Sequence, residues 1–466
     1  MKKNISDCST FCALPWIHLS TRPNGHMRVC CTANASSVGA TNDKVHGGEV
    51  GILKNDDGKP ANFNHTSLSE AWNNSYMRNI RKDMLNDRIP PSCVKCFKEE
   101  SSGHRSKRQW ETEFWNNRID IQGLVNETKE DGSIPQKVYY IDLRLGTKCN
   151  LKCAMCSPHD SSLWVDDWNK LHPQIENETL KESMQWDNKG QVDGATYNWH
   201  INNEKFWDEL YLQIPHIKQL YFAGGEATII EHHYLLLEKC IEMGHADKIQ
   251  LRYNSNGVEL PDRLFRLWKE FKSVRFHYSI DSIEEMNDYI RHPSKWSHMK
   301  EMFHKLDNTE ENVEVTIACA VQMFNMYYLP DFIKWKWEMN FKKINIWPLG
   351  AGMINYHFVY HPPHLNVKVF PASFKRKIRA KYEEFYQWLE ETIAVSGGDS
   401  YTKEEFLSAP YGIKRLKGMV DFMDSEDWSR RLPEFREYVQ LLDKIRGTSF
   451  EEVFPEMAEI MREDYV

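Results

Sequence analysis

The chain has 466 residues, with 59 Lys and Arg against 67 Asp and Glu, which gives a formal net charge of −8 at pH 7. This length predicts two or three domains, and the negative charge disfavours nucleic acid and anionic membranes as partners. The first residues, MKKNISDCSTFCALPW, lack the apolar core of a signal peptide, and no stretch approaches the ~20 apolar residues of a membrane span. We therefore expect a cytoplasmic protein, whose 11 cysteines are metal ligands or free thiols rather than disulfides.

The first predicted module, residues 1–110, contains two separated groups of cysteines. The sequence Pro-Asn-Gly at 23–25 lies within the first group and predicts the turn of a β-hairpin. The candidate metal ligands are Cys12, Cys30, Cys93 and Cys96. As local chemistry, four such thiols fit a zinc ion as well as an iron–sulfur cluster. Cys31 is an alternative to Cys30, and Cys8 is expected to be a free thiol.

After a linker at 111–137, residues 138–350 alternate short apolar runs with stretches long enough for helices, which is the pattern of βα units around a parallel sheet. The predicted fold class is therefore α/β, a partial (β/α)6 TIM-like barrel. The six predicted strands are 138–145, 217–222, 249–254, 273–280, 313–322 and 344–349. Apolar residues at intervals of three and four then predict a C-terminal helical extension over residues 351–466, to which we assign packing only.

Parallel barrels place their chemistry at the carboxyl ends of the strands, and the first predicted strand is followed by the segment GTKCNLKCAMC. It places three thiols within eight residues, namely Cys149, Cys153 and Cys156. Three cysteines would leave one iron of a 4Fe-4S cluster without a protein ligand, and an open coordination site lets a cofactor or substrate bind directly. A structural zinc site is the less favoured alternative, because it would require a fourth protein ligand.

The triplet resembles the CxxxCxxC signature of the radical S-adenosylmethionine (SAM) superfamily, and later segments resemble that family's motifs in the same order. The resemblance implies that Gly224, Gly225 and Glu226 hold the methionyl amino group of SAM. Arg291 is expected to pair with the cofactor carboxylate, and Asp281 to lie near its ribose or carboxylate. The residues implied as cofactor contacts at the later strand ends are Asn254, Asn256, Ser279, Asp281, Arg291 and Gln322. No catalytic residue is assigned.

The N-terminal cysteines resemble the twitch and SPASM modules of radical SAM enzymes, which bind auxiliary iron–sulfur clusters. No further cysteine occurs between Cys96 and Cys149, so the single-cluster twitch form is the better match. In relatives the module usually follows the barrel, whereas here it precedes it. The resemblance therefore implies two clusters, a SAM-binding 4Fe-4S cluster in the barrel and an auxiliary iron–sulfur cluster in residues 1–110.

The implied function is reductive cleavage of SAM to a 5'-deoxyadenosyl radical, followed by hydrogen abstraction from a peptide or protein substrate. An alternative within the family is dehydrogenation of a small polar metabolite of the amino-sugar type. An alternative from another class is a non-catalytic iron–sulfur or zinc protein on a degenerate barrel. The implied partners are the substrate and a low-potential electron donor of the flavodoxin or ferredoxin type, with no membrane and no nucleic acid.

Overall fold

The computed structural model divides the chain into two compact units. Unit 1 comprises Met1–Cys149, Asp193–Tyr253 and Asp262–Val274, and unit 2 comprises Asn150–Val192, Asn254–Pro261 and Arg275–Val466. The residues that the structure describes are 4–33, 51–101, 105–184, 197–344, 354–396, 413–462 and 465. The four domains predicted from the sequence, with boundaries after 110, 137 and 350, stay a prediction.

Helices and strands alternate along the described chain. The α-helices are α1 (Leu14–Ile17), α2 (Leu68–Trp72), α3 (Ser75–Leu85), α4 (Val94–Ser101), α5 (Lys107–Asn116), α6 (Ile121–Asn126), α7 (Trp164–Leu171), α8 (Glu178–Ser183), α9 (Glu204–Gln213), α10 (Glu231–Glu242), α11 (Asp262–Trp268), α12 (Glu284–Ile290), α13 (Trp296–Asp307), α14 (Leu329–Glu338), α15 (Ala372–Ser396), α16 (Ile413–Asp424), α17 (Leu432–Arg446) and α18 (Phe450–Val453). The β-strands are β1 (His18–Thr21), β2 (Met27–Arg28), β3 (Tyr140–Leu143), β4 (Gln219–Phe222), β5 (Gln250–Ser255), β6 (Ser273–Ser279), β7 (Val313–Val321) and β8 (Asn355–Phe358).

The strands of unit 1 lie in the order β2-β1-β3-β4-β5. β1 and β2 are antiparallel, with Ser20 opposite Arg28. The strands β1, β3, β4 and β5 are parallel to one another. His18 of β1 is in register with Tyr140 of β3, which is 122 positions away in the sequence. The N-terminal hairpin therefore extends the parallel sheet of unit 1.

The hairpin turn lies where the sequence predicts it. The Arg22 amide donates to the His26 carbonyl over 2.8 Å, and the Gly25 amide donates to the Arg22 carbonyl over 2.9 Å. Gly25 has a φ of +86°, and a Cβ at this position would lie 2.8 Å from the side-chain oxygen of Asn62. Only glycine fits here without strain, because it has no Cβ and tolerates a positive φ.

Unit 2 contains most of β6 together with β7 and β8, in the order β6-β7-β8. β7 and β8 are parallel, with Ala318 opposite Asn355. Along β6 and β7 buried residues alternate with half-buried ones, because successive side chains of a strand point to opposite faces of the sheet. On β6 the buried set is Val274, Phe276 and Tyr278.

The first five predicted strands overlap β3 to β7. At the sixth, Ile344 forms an isolated parallel bridge to Val315, and residues 345–349 lie outside the described residues. β8 was not predicted, because it lies in residues 351–466, where the sequence analysis predicts a helical extension. The predicted α/β class, with a sheet of mostly parallel strands, is confirmed. Within the described residues, no helix is long and apolar enough to cross a membrane.

Candidate metal centres

Four thiols of unit 1 line one cavity, namely those of Cys12, Cys30, Cys93 and Cys96. The space between the lining residues, including the part that is open to solvent, is about 400 Å³. Leu14, Val29 and Met84 form part of its apolar wall, and Lys107 and Arg108 line it as well. The two cationic side chains can offset the negative charge that metal-bound thiolates would bring.

The cavity is assembled at the ends of short elements. Cys12 lies two positions before α1, and Cys30 lies two positions after β2. Cys93 directly precedes α4, and Cys96 lies in its first turn. The hairpin and these helices therefore bring together cysteines that are far apart in the sequence.

The four thiols are close enough to affect one another's ionisation. Burial raises the pKa of Cys12 well above its ordinary value, and Cys93, Cys30 and Cys96 add to the rise. Burial also raises the pKa of Cys93 to about 12, with Cys30 and Cys96 adding to the rise and Arg108 opposing it. Buried thiolates repel one another and therefore require a cationic centre beside them. A metal that binds here would displace the protons of the thiols.

The residues around this cavity fit an iron–sulfur cluster. A tetrahedral zinc ion binds its sulfur ligands at about 2.3 Å and so draws them towards one point. The four thiols line a common space, which suits a polynuclear cluster ligated at its corners.

Cys31 does not line the cavity, although it is next to Cys30 in the sequence. Burial raises the pKa of Cys31, and the charged side chains that act on its thiol include Lys107, Asp142 and Arg144. This environment is a polar part of the unit 1 interior. The structure therefore favours Cys30 over Cys31 as the ligand.

The second set of predicted ligands lies in a segment without regular secondary structure after β3. Cys149 is the last residue of this part of unit 1, and Cys153 and Cys156 belong to unit 2. The Cys156 amide donates to the Cys153 carbonyl over 3.0 Å, which closes a turn between them. The pKa of Cys153 is lowered first by a hydrogen bond with the Cys156 thiol and, against its burial, by the charge of Arg291. The thiolate that an iron ion requires is therefore favoured at Cys153.

Arg291 reaches the sulfur of Cys153 and is paired with a buried carboxylate. Its Nη1 lies 3.9 Å from Cys153 Sγ. Its Nε lies 2.9 Å from Asp281 Oδ2, in an ion pair that is not aligned as a hydrogen bond. Asp281 is 0% exposed, and its Oδ1 accepts a 2.7 Å hydrogen bond from the Ala320 amide. Burial raises the pKa of Asp281, and the positive charge of Arg291 opposes this rise. Arg291, a predicted cofactor contact, thus lies beside the predicted cluster ligand Cys153. The carboxylate of Asp281, another predicted cofactor contact, is already paired with Arg291.

The predicted SAM-binding glycine turn packs against the backbone that leads to Cys149. Gly224 and Gly225 have φ values of +76° and +55°, and a Cβ on Gly225 would lie 2.6 Å from the Lys148 carbonyl oxygen. The Glu226 amide donates to that same carbonyl over 2.8 Å. Because this approach leaves no room for a side chain, glycine is required, and the turn is fixed to the start of the cysteine segment within unit 1.

The remaining predicted cofactor contacts belong to unit 2. Asn256 Nδ2 donates over 2.8 Å to the side-chain oxygen of Asn150, which follows the first cysteine of the triplet. Asn254 is exposed near the end of β5, and Ser279 is half-buried at the end of β6. Gln322 is 0% exposed, and its Oε1 has no hydrogen-bond partner among the described residues.

Four side chains that sequence analysis did not assign to the site bind the backbone of residues 151–154 in unit 2. Ser161, Arg446, Trp164 and Tyr438 donate to the carbonyls of Leu151, Lys152, Cys153 and Ala154, respectively. Ser161 lies just before α7 and Trp164 begins it, whereas Tyr438 and Arg446 belong to α17, in the extension to which the sequence assigned packing only. No motif spacing could have identified them, because they bind main-chain groups that any residue presents.

The Asp281–Arg291 pair leads to a stability prediction. Changing Asp281→Asn keeps the shape of the side chain but leaves the Arg291 charge buried without a partner, which costs about 3 to 5 kcal/mol of unfolding free energy. Urea denaturation of the cluster-free chain, followed by tryptophan fluorescence, measures this loss. A residue that served only to contact the cofactor would show no such loss in the cluster-free chain.

The matched control is Glu314→Gln. Glu314 pairs with Arg275 at 3.0 Å, but both side chains are more than a third exposed. An exposed ion pair contributes ~0.2 to 1 kcal/mol, so the control should lose less than about 1 kcal/mol. Equal losses in the two variants would contradict a structural role for Asp281.

Comparison with known proteins identifies the N-terminal module. Residues 12–97 match the family model of the SPASM iron-sulfur cluster-binding domain. This range contains all four cavity thiols. No curated protein sequence matches the chain significantly.

Two solved structures resemble this chain weakly. A crystal structure of Streptococcus suis SuiB is 12% identical, with 70% of this chain and 63% of SuiB covered and a TM-score of 0.34. A structure of native anSMEcpe with bound AdoMet is 15% identical, with 66% of this chain and 99% of that protein covered and a TM-score of 0.34. The chain thus covers about three fifths of the SuiB length. At these scores the fold assignment rests on the chain's own strand order.

Residues 12–97 are thus similar to the SPASM type of iron–sulfur cluster-binding domain, which supports the auxiliary module that the sequence predicts. The cofactor that such a domain binds is an iron–sulfur cluster.

Proposed function

We propose that this chain is a radical SAM enzyme that holds one 4Fe-4S cluster on the cysteine triplet and an auxiliary cluster on the four cavity thiols. The observation that supports this most directly is the convergence of four thiols on one cavity within the matched SPASM domain. A second metal centre of this kind is what distinguishes SPASM-type enzymes from radical SAM enzymes with a single cluster.

Each predicted residue receives a role from this proposal. Cys149, Cys153 and Cys156 ligate three irons of the cluster. The turn at 224–226 binds the methionyl group of SAM, and the Glu226 carboxylate pairs with the ammonium of that group. The later contacts hold the ribose and carboxylate of SAM: Asn254, Asn256, Ser279, Asp281, Arg291 and Gln322. Among these, Arg291 also lies beside Cys153 Sγ, so its positive charge favours the thiolate form of that ligand.

When bound, the cluster supplies the electron for reductive cleavage of SAM to methionine and a 5'-deoxyadenosyl radical, which abstracts hydrogen from the substrate. The chain itself orients SAM and shields the reacting atoms from water. A low-potential donor of the flavodoxin or ferredoxin type would deliver the electron.

We propose a peptide or protein as the substrate, because enzymes with SPASM-type modules commonly modify peptides. Among solved structures, one of Streptococcus suis SuiB contains a precursor peptide, SuiA. That chain is 12% identical to this one, with 64% of this chain and 60% of SuiB covered and a TM-score of 0.32, so the structure describes SuiB alone.

The test is SAM cleavage by the anaerobically reconstituted protein reduced with dithionite. We expect methionine and 5'-deoxyadenosine in equal amounts, measured by liquid chromatography and mass spectrometry. Adding a pool of linear peptides should raise the rate, whereas amino sugars should not. Stimulation by amino sugars alone would favour the small-metabolite alternative, and no cleavage by a protein with full iron content would favour a non-catalytic metalloprotein.

A further inference from the structure

The backbone of the cysteine segment in unit 2 is fixed on both of its sides. Its amides bind one neighbouring stretch, since the Lys152 amide donates to the His292 carbonyl and the Ala154 amide donates to the Ile290 carbonyl, both over 2.7 Å. These bonds hold residues 152 and 154 against the end of α12. A segment without helix or strand has to satisfy its polar backbone groups in this way when it is buried.

The carbonyls of the same residues point to α17. Tyr438 Oη donates to the Ala154 carbonyl over 2.5 Å, and Arg446 Nη2 donates to the Lys152 carbonyl over 2.8 Å. Cys153 lies between these two anchor points in the sequence. The two donors lie 284 and 294 positions further along the chain than the carbonyls that they bind.

Arg446, one of the two donors, is itself held by further contacts. Arg446 Nε lies 2.9 Å from Asp167 Oδ2, and Lys152 Nζ lies 2.6 Å from Asp167 Oδ1, so one buried carboxylate joins the helix to the cysteine segment. The Arg446 guanidinium also covers the ring of Trp164 at 4.6 Å. Only 2% of the Arg446 and Asp167 side chains is exposed.

We propose that α17 is a positioning element for the SAM cluster, and that Tyr438 and Arg446 fix the backbone on either side of the ligand Cys153. The inference rests on the proposed function for the role of Cys153. A ligand segment that is locked before iron binds holds its sulfur in one geometry, which slows iron loss and sets the environment of the cluster. α17 thus has a direct function in the site, in addition to the packing that the sequence predicted for the extension.

The experiment compares two variants with two matched controls in the full-length chain. The variants are Tyr438→Phe and Arg446→Met. Tyr382→Phe is the first control, because Tyr382 is equally buried and its hydroxyl donates to the Met326 carbonyl over 3.0 Å. Arg436→Met is the second, because Arg436 lies on the same helix and donates to the Ile460 and Tyr465 carbonyls.

Two readouts separate failure of this inference from failure of the proposed function. Hydrogen exchange of a peptide covering residues 150–157, in the protein without iron, should be about threefold to tenfold faster in both variants and unchanged in both controls, as expected from the loss of one hydrogen bond. In the reconstituted protein, the SAM-induced change in the EPR spectrum should be altered, and chelator-driven iron loss should be faster, in the variants alone. Arg446→Lys, which keeps one cationic donor, should restore part of the protection.

Each outcome decides one question. Wild-type exchange rates and an unchanged EPR spectrum in both variants would overturn the role of α17. The same increase in exchange in controls and variants would also overturn it, because the effect would then be general destabilisation. If the EPR spectrum of the reconstituted wild-type protein does not respond to SAM, the proposed function is overturned. The hydrogen-exchange rates of the variants would then still test the anchoring of the segment.

Discussion

Replacing Cys149, Cys153 and Cys156 together by Ala is expected to abolish formation of 5'-deoxyadenosine while leaving a second cluster in the protein. The cavity thiols of unit 1 are a separate set of proposed ligands, so the auxiliary cluster should keep all its protein contacts. Iron and sulfide analysis should fall from about eight to about four of each per chain, the content of one 4Fe-4S cluster. The EPR spectrum of the reduced variant should no longer respond to SAM.

The control for this variant removes three other buried thiols, those of Cys8, Cys240 and Cys319. They lie outside both predicted ligand sets, so their joint replacement by Ala should leave the iron content and SAM cleavage unchanged. A triple variant at 149, 153 and 156 that retains no iron at all would refute the assignment of two independent clusters. One that still cleaves SAM would refute the assignment of the triplet.

The local features of the site could be predicted from the sequence because short-range geometry determines them. The turn at 23–25 follows from Pro-Asn-Gly, and the turn at 224–226 from two glycines that adopt positive φ. The strands β3 to β7 follow from apolar runs bounded by polar residues. In each case the residues that determine the conformation are neighbours in the chain, so their pattern is visible without the fold.

The pairing of β1 with β3 could not be predicted in the same way. His18 and Tyr140 are in register, but nothing in either strand specifies the other as its partner. The sequence predicts an N-terminal module, but it does not show that the hairpin of this module extends the sheet of unit 1. Pairing between distant strands depends on the packing of the whole unit, which a pattern of residue types does not encode locally.

The side chains that bind the cysteine segment were missed for a related reason. Tyr438 and Arg446 donate to backbone carbonyls, and such acceptors have no sequence signature. The predicted contacts Asp281 and Arg291 were implied by the resemblance to a family, and the structure shows that they pair with each other. A buried charged side chain requires a partner of opposite charge close to it. Which residue is that partner becomes known only from the fold.

The cavity thiols allow an electron-transfer role to be separated from a structural one. Replacing Cys93 and Cys96 by Ala removes two of the four thiols, so the auxiliary cluster should be lost. If this cluster accepts an electron from the substrate radical, modification of a stimulating peptide should stop, while cleavage of SAM without substrate should continue. The triplet segment keeps its three cysteines and its backbone anchors in this variant. Product mass, 5'-deoxyadenosine and iron content measure the three consequences.

A structural role predicts a different result for the same variant. Loss of a metal–thiolate site removes folding free energy, so the Tm and SAM cleavage should then fall together. The matched control is Cys8→Ala with Cys240→Ala, since both thiols are buried in unit 1 but do not line the cavity. We expect the control to behave as the wild type and the Cys93/Cys96 variant to keep SAM cleavage, because the cavity and the triplet draw on different residues. Zinc instead of iron in the anaerobically reconstituted wild-type cavity would exclude electron transfer outright, since zinc has no accessible second oxidation state.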